Sequence, residues 1–231
     1  MPQFVVIGLG EFGLSVTRTL AEKGCEVLAI DSDPERVREA GELVTHAVEM
    51  DATDERSLVS LGVKDMDAAI VSIGQNIEDS ILVTLTMKEL GVKTIIAKAI
   101  SPQHANVLRK IGVTRIVFPE RDMGIKVAHS LIAPNILEYL ELSPHYELVE
   151  TIAPKEFVGK TLAQTQARTK YGVHIIAIKK KIPTITDSGE PAFQESIDVA
   201  PPPDAEISEG DILVIIGGTA AINKILKKAK P

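Results

Sequence analysis

The sequence predicts an α/β protein: a doubly wound parallel sheet, then a helical crossover, then a small α+β module. Three observations carry this expectation. Short apolar runs rich in Val, Ile and Ala recur along residues 4–118, each too short for a helix and each followed by a helical stretch. The connections between them are brief, as in βα units that wind right-handed onto one sheet. From about residue 144 the pattern turns into alternating strands broken by turns.

Residues 4–7 (F-V-V-I) form the first strand. Gly8, Gly10 and Gly13 follow at once in the G-x-G-x-x-G spacing, with Glu11 and Phe12 between the last two. A helix runs from about residue 11 to 23, its inner side formed by Leu14, Val16, Thr17, Leu20 and Ala21, and Gly24 ends it. Residues 27–30 are a second buried strand, with Asp31 at its carboxyl end. The first glycine allows the tight turn, the second lets the backbone approach a pyrophosphate, and the third lets helix pack on sheet. The helix N-terminus then faces the phosphates, and an acid at the place of Asp31 meets ribose hydroxyls. Strand, glycines, helix, strand and acid in this order make a Rossmann-like nucleotide site. A glycine-rich turn that binds nothing would leave Asp31 without a task.

After Ser32, Asp33 caps a second helix and Pro34 fits its first turn. Residues 45–49 are a third strand, followed by Asp51, Ala52 and Thr53. Asp51 stands where open sheets bind ligands, or it caps the next helix; both readings hold at this point. Residues 68–73 are a fourth strand, and its end, Ser72, Ile73 and Gly74, is small enough for a nucleotide to pass over. A long helix follows to residue 90. The fifth strand, 94–98, ends on Lys98, which faces the crevice or is a solvated strand-end cation. A helix over 102–111 and a sixth strand over 115–118 complete the sheet. Glu120, Arg121 and Asp122 then precede a helix over 123–133, a break at Ala133-Pro134-Asn135, and a short second helix over 136–142. Ile125, Val127, Leu131, Ile132, Ile136, Leu137, Tyr139 and Leu140 exceed one core-facing stripe, so this helix–turn–helix is a candidate surface for another subunit, the other reading being packing on its own domain. Beyond it come a strand over 146–152, a helix over 159–172, a strand over 173–178 with a basic end at Lys179–Lys181, an exposed Pro-rich loop over 187–204, a strand over 212–216 and a helix over 220–228.

Composition bounds the function. A chain of 231 residues has room for one large domain or a domain with a small module. It has no Trp and 3% aromatic residues within 45% hydrophobic content, so the core is aliphatic, as suits a parallel sheet buried on both faces. The net charge of −7 argues against a nucleic-acid partner, which needs a basic footprint. Cys25 is the only cysteine, which excludes an internal disulfide and fits a reducing compartment; it reads as filler rather than nucleophile. The first strand begins too early to leave space for a signal peptide, and no apolar run approaches the roughly 18–20 residues of a bilayer span. The expectation is a soluble cytoplasmic protein. The five histidines are scattered, and there is no Cys/His metal cluster, Walker loop or G-x-S-x-G elbow. A small NAD(P)-dependent oxidoreductase is the alternative, but the C-terminal module makes a poor substrate domain. The nucleotide reads as a signal.

The motifs G-L-G-E-F-G-L-S, A-I-D-S-D-P-E, D-A-T at Asp51, S-I-G-Q-N-I, I-I-A-K-A, F-P-E-R-D-M-G-I-K-V-A and E-G-D-I-L-V-I-I-G resemble the regulator-of-potassium-conductance (RCK) family. Within it, the chain is similar along its whole length to the cytosolic gating subunits of bacterial Ktr and Trk potassium uptake systems. The resemblance implies a Rossmann nucleotide-binding subdomain over 1–122, a helix–turn–helix crossover for dimerisation over 123–143, and an RCK C-terminal regulatory subdomain over 144–231. It implies homodimers assembled into an octameric ring beneath a membrane potassium-translocating subunit. ATP, ADP or NAD(H) would shift the ring and so gate the channel. By resemblance, Asp31 and Asp33 hold the ribose, and Asp51, Ala52 and Thr53 line the adenine pocket. Ser72 and Gly74 approach the nucleotide, Lys98 lies near the phosphates, and Glu120 faces the γ-phosphate through a divalent cation such as Mg²⁺. Gly8, Gly10, Glu11, Phe12, Gly13, Ser32 and Ile73 complete the expected set. Many relatives carry Arg where this chain has Glu11, which leaves the choice between ATP, ADP and NAD(H) open. Some relatives bind cyclic di-AMP in the C-terminal subdomain through an Asp-x-Arg-x5-Asn pattern. Here Gln166, Arg168 and His174 stand at those places, before Ile175 and Ile176, and only Arg168 and the aliphatics match.

Overall fold

Six parallel strands and the helices between them make up the first of two units, Met1–Asp122; the second is Met123–Pro231. The structure, a computed structural model, describes residues 1–132, 136–185 and 191–226.

In the first unit β1 (Gln3–Ile7), α1 (Glu11–Glu22), β2 (Glu26–Asp31), α2 (Pro34–Gly41), β3 (His46–Glu49), α3 (Glu55–Ser60), β4 (Ala68–Val71), α4 (Ile77–Glu89), β5 (Thr94–Lys98), α5 (Pro102–Ile111) and β6 (Arg115–Val117) alternate. The sheet order is β3-β2-β1-β4-β5-β6 and every pairing is parallel. Both faces are buried. Val5 and Ile7 of β1 join a core with Leu28, Ile30, Val83 and Met87, while Val6 joins Val27, Ala29 and Ile70 on the opposite side. This is why these strands read as unbroken apolar runs. Side chains of Asp33, Asp54, Asn76 and Ser101 accept N–H groups at the starts of α2, α3, α4 and α5. The cap of α3 is therefore Asp54 and not Asp51. The strand order reverses between β1 and β4, and the crevice beyond their carboxyl ends is where such sheets bind ligands.

Helix α6 (Pro119–Ile132) starts at the end of the first unit and runs into the second. The second unit contains β7 (Ile136–Ser143), β8 (Tyr146–Ile152), α7 (Leu162–Thr165), β9 (Val173–Ile185), β10 (Pro191–Val199), β11 (Ile212–Gly218) and α8 (Thr219–Leu226). Its strands pair antiparallel in the order β10-β9-β11-β8-β7 over a core that includes Phe157, Ile178, Leu213, Ile215 and Ile222.

Three sequence expectations are corrected here. The segment expected as a second helix over 136–142 is strand β7, so the crossover is not a helix–turn–helix; the expected break at Ala133-Pro134-Asn135 lies outside the described residues. Pro144 cannot continue a helix, and the chain turns back so that Leu140 faces Leu148 and Glu141 faces Glu147 across the hairpin. The strand expected to stop at residue 178 continues to Ile185, and residues 191–199 of the expected loop form its partner β10; 186–190 lie outside the described residues. The register sets Lys181 opposite Glu195, and Pro183 falls beyond Lys179, the last residue of β9 that pairs with β11, where among the described residues β10 alone flanks the strand. The helix expected over 159–172 is split: a Thr161–Gln164 capping box starts α7, Gln166 turns left-handed at φ 51°, and a single wide turn, Ala167–Tyr171, follows to Gly172. The expected helix end at Lys228 also lies outside the described residues.

Candidate functional site

The turn from β1 into α1 is built by contacts that only glycine allows. Gly8 has φ +91°, and a Cβ there would come within 3.0 Å of the Ile73 nitrogen and the Ser72 carbonyl carbon. A Cβ on Gly13 would lie 1.9 Å from the Gly8 carbonyl oxygen, so the first turn of α1 sits directly on the loop. Gly10 has nothing within 4 Å of such a Cβ and faces open space. Among the described residues no side chain caps α1, which leaves its first N–H groups and positive dipole end for an anion.

Asp31 ties this loop to the end of β2. It is 8% exposed; its Oδ2 accepts the Leu9 N–H at 2.6 Å and its Oδ1 accepts the Asp33 N–H at 2.9 Å. Arg36, in the first turn of α2, lies 3.6 Å from the same Oδ2. At the end of β3, Asp51 accepts both the backbone N–H and the hydroxyl of Thr53, at 2.9 and 2.7 Å. The hydroxyl bond, then the backbone one, hold the Asp51 carboxyl below its usual range. At the end of β5, Lys98 is largely buried and its ammonium donates to Glu120 on α6. That hydrogen bond holds the Glu120 carboxyl below its ordinary value.

These strand ends surround a cleft of about 560 Å³. Every residue of the expected site lines it except Gly13 and Asp33. Gly13 is buried under the loop, and Asp33 is the half-exposed N-cap of α2. The cleft also includes Arg36, Met50, Gln75, Asn76, Asp79 and Ile100, which sequence reasoning did not assign. Arg36 follows the Asp33-Pro34 helix start, and Asn76 and Asp79 belong to the cap and first turn of α4. Five carboxylates (Glu11, Asp31, Asp51, Asp79, Glu120) face two cations, Arg36 and Lys98. Phosphates in this cleft would therefore depend on backbone N–H groups, the α1 dipole and Lys98. Among the described residues no group of three or more His, Cys, Asp or Glu is placed to hold a metal ion. In the second unit Gln166, Arg168, His174 and Ile176 are exposed, and Ile175 is half-buried opposite Ile215.

Residues 4–119 match the TrkA-N domain family. The chain is 43% identical over 98% of its length to the Ktr system potassium uptake protein C of Bacillus subtilis, covering 96% of that protein. It is 42% identical over 93% of its length to the Ktr system potassium uptake protein A of the same organism, covering 91% of it. Among solved structures, the GsuK channel bound to NAD shares the fold with a TM-score of 0.65 at 19% identity, over 99% of this chain and 40% of that one. The chain thus spans less than half of that channel polypeptide. No helix among the described residues is long and apolar enough to cross a membrane.

Proposed function

The chain belongs to the TrkA-N domain family, and on that premise we propose that it is a nucleotide-sensing cytoplasmic regulatory subunit of a Ktr-type potassium uptake system. The observation that carries the reading is the cleft at the β1/β4 switch point, where a glycine loop locked by Asp31 meets the uncapped start of α1. The chain's own residues fit an adenine nucleotide. Gly8, Gly10 and the start of α1 would take the phosphates, Asp31 and Ser32 the ribose, and Asp51, Ala52 and Thr53 the adenine. Each Asp31 oxygen keeps a lone pair beyond its backbone bond, so it can still accept a ribose hydroxyl.

ATP and ADP are the ligands we favour, with NAD(H) as a further one; the NAD-bound GsuK neighbour is support for dinucleotides on this fold. A divalent cation such as Mg²⁺ would join Glu120 to the terminal phosphate, since such ions take one or two carboxylates plus phosphate oxygens. Homodimers in an octameric ring, docked on a membrane potassium-translocating subunit, are the assembly we propose. The exposed Met123, Ile125, Val127 and Leu131 along α6 support a subunit contact there. Cyclic di-AMP at Arg168 and Ile176 is a second regulatory ligand on this reading. Regulation then follows linkage: a nucleotide shifts the assembly only by its different affinity for two conformations.

The test is potassium flux into vesicles bearing a Ktr-type translocating subunit, with this chain added in its ATP-loaded and ADP-loaded forms. Flux should differ between the two forms. Equal flux with both, and with the chain omitted, would overturn the regulatory reading, and turnover of NADH with a substrate would replace it by the oxidoreductase.

A further inference from the structure

The ribose side of the cleft carries a cation that is already engaged. The Arg36 guanidinium lies between two carboxylates, with Nη1 3.6 Å from Asp31 Oδ2 and Nε 3.6 Å from Asp33 Oδ2. Asp31 is buried and shares its charge with the Leu9 and Asp33 N–H groups. Asp33 stands outside the cleft lining; its Oδ1 accepts the Glu35 N–H as a helix cap, which leaves Oδ2 to Arg36. In α/β nucleotide sites an acid at the end of the second strand accepts the ribose 2′-hydroxyl, whereas a nearby arginine accommodates a 2′-phosphate. This chain has both groups, and the arginine is paired with two carboxylates.

We propose that Asp33 is a positioning residue that sets ribose specificity: by holding Arg36 in an ion pair it makes the cleft accept adenine nucleotides with a free 2′-hydroxyl and refuse their 2′-phosphorylated counterparts. The inference rests on the reading of this cleft as an adenine-nucleotide site. Two carboxylates and one guanidinium leave that edge negative, and a 2′-phosphate adds roughly two further negative charges. Without the Asp33 carboxylate, Arg36 keeps its ion pair with Asp31, whose charge is dispersed into backbone donors. Its planar fork can then turn to a phosphate.

NAD⁺ and NADP⁺ differ only in the 2′-phosphate, so their affinity ratio reads this edge directly. The full chain is titrated with both, as wild type, Asp33→Asn, Asp33→Glu and the double variant Asp33→Asn with Arg36→Ala. Asparagine caps helices as well as aspartate, so the first variant keeps the start of α2. Wild type should prefer NAD⁺, and Asp33→Asn should narrow the ratio about tenfold through tighter NADP⁺, the worth of one charge-assisted hydrogen bond. Asp33→Glu should keep the wild-type ratio, and removing Arg36 from Asp33→Asn should abolish the gain. Equal affinities in wild type, an unmoved ratio in Asp33→Asn, or a gain that survives loss of Arg36 would each overturn the inference. ATP titrated against wild type separates the two levels: if ATP binds and the ratio is flat, only this inference falls, and if no adenine nucleotide binds, the reading of the cleft falls with it.

Discussion

Asp31→Asn isolates the tie that holds the glycine loop. The aspartate is 8% exposed and gives one oxygen to the Leu9 N–H and the other to the Asp33 N–H. Asparagine is nearly the same size but has a single acceptor, so whichever way the amide turns, one of the two N–H groups meets another donor. An unpaired buried donor costs about 1–3 kcal/mol, and a hydrogen bond to a charged group contributes about 1.5–3 kcal/mol. The expected loss is therefore about 2–3 kcal/mol, or roughly 5–10 °C in the melting of the Met1–Asp122 unit. Differential scanning calorimetry reads the shift, and amide hydrogen exchange at Leu9 reports where it arises. Nucleotide affinity should fall with it on the proposed reading of the cleft, because the loop proposed to take the phosphates loses its anchor. A melting temperature within about 1 °C of wild type, with Leu9 protection intact, would refute the argument that this carboxylate holds the loop.

Gly13→Ala places a Cβ 1.9 Å from the Gly8 oxygen and should cost about 3 kcal/mol, whereas Gly10→Ala meets nothing within 4 Å and should leave the melting temperature alone while weakening ATP binding. A pair of melting curves and ATP titrations checks both. His104 is 2% exposed and neither ring nitrogen has a hydrogen-bond partner among the described residues, so His104→Leu should stabilise by about 1 kcal/mol. Burial pushes the His104 pKa below its ordinary 6.5, so the unfolded chain binds the proton first and stability falls as pH drops below 6.5. That slope should be shallower in His104→Leu, measured by denaturant melts between pH 7 and pH 5. For Lys98→Met, carbon-detected titration should show the Glu120 carboxyl moving back up toward 4.5, since the Lys98 hydrogen bond is the main cause of its depression. The contribution of that pair is present above 4.5 and fades as pH falls below it, so the variant should differ from wild type least in acid.

The first unit was legible because its strands are buried on both faces and so announce themselves as apolar runs, each closed by Gly, Pro or a cap. Thr161 and Gln164 likewise carry a local signal, a capping box, but the left-handed Gln166 that stops α7 after one turn has no signature in its own type. β7 was hidden for a different reason. Ile136, Leu137, Tyr139 and Leu140 satisfy helical spacing, and only pairing with β8, a long-range fact, decides against it. Residues 179–181 of β9 are three lysines, opposite Ile197, Ser196 and Glu195 of β10, so that stretch of β9 carries no hydrophobic alternation to read. The glycine turn and Asp31 were legible because their positions are fixed within one βαβ unit. Arg36, Asn76 and Asp79 were not, because they reach the cleft through the way α2 and α4 present their first turns. Asp51 stayed ambiguous until the structure gave the cap of α3 to Asp54 and left Asp51 to Thr53 at the cleft.

Whether this cleft takes an adenine nucleotide is decided by calorimetric titration of the full chain with ATP, ADP and NADH, each with and without Mg²⁺. Saturable binding of ATP and ADP to the same site is expected, with Mg²⁺ strengthening ATP more than ADP and Gly10→Ala weakening both. A folded chain that gives no heat with any of the three would contradict it.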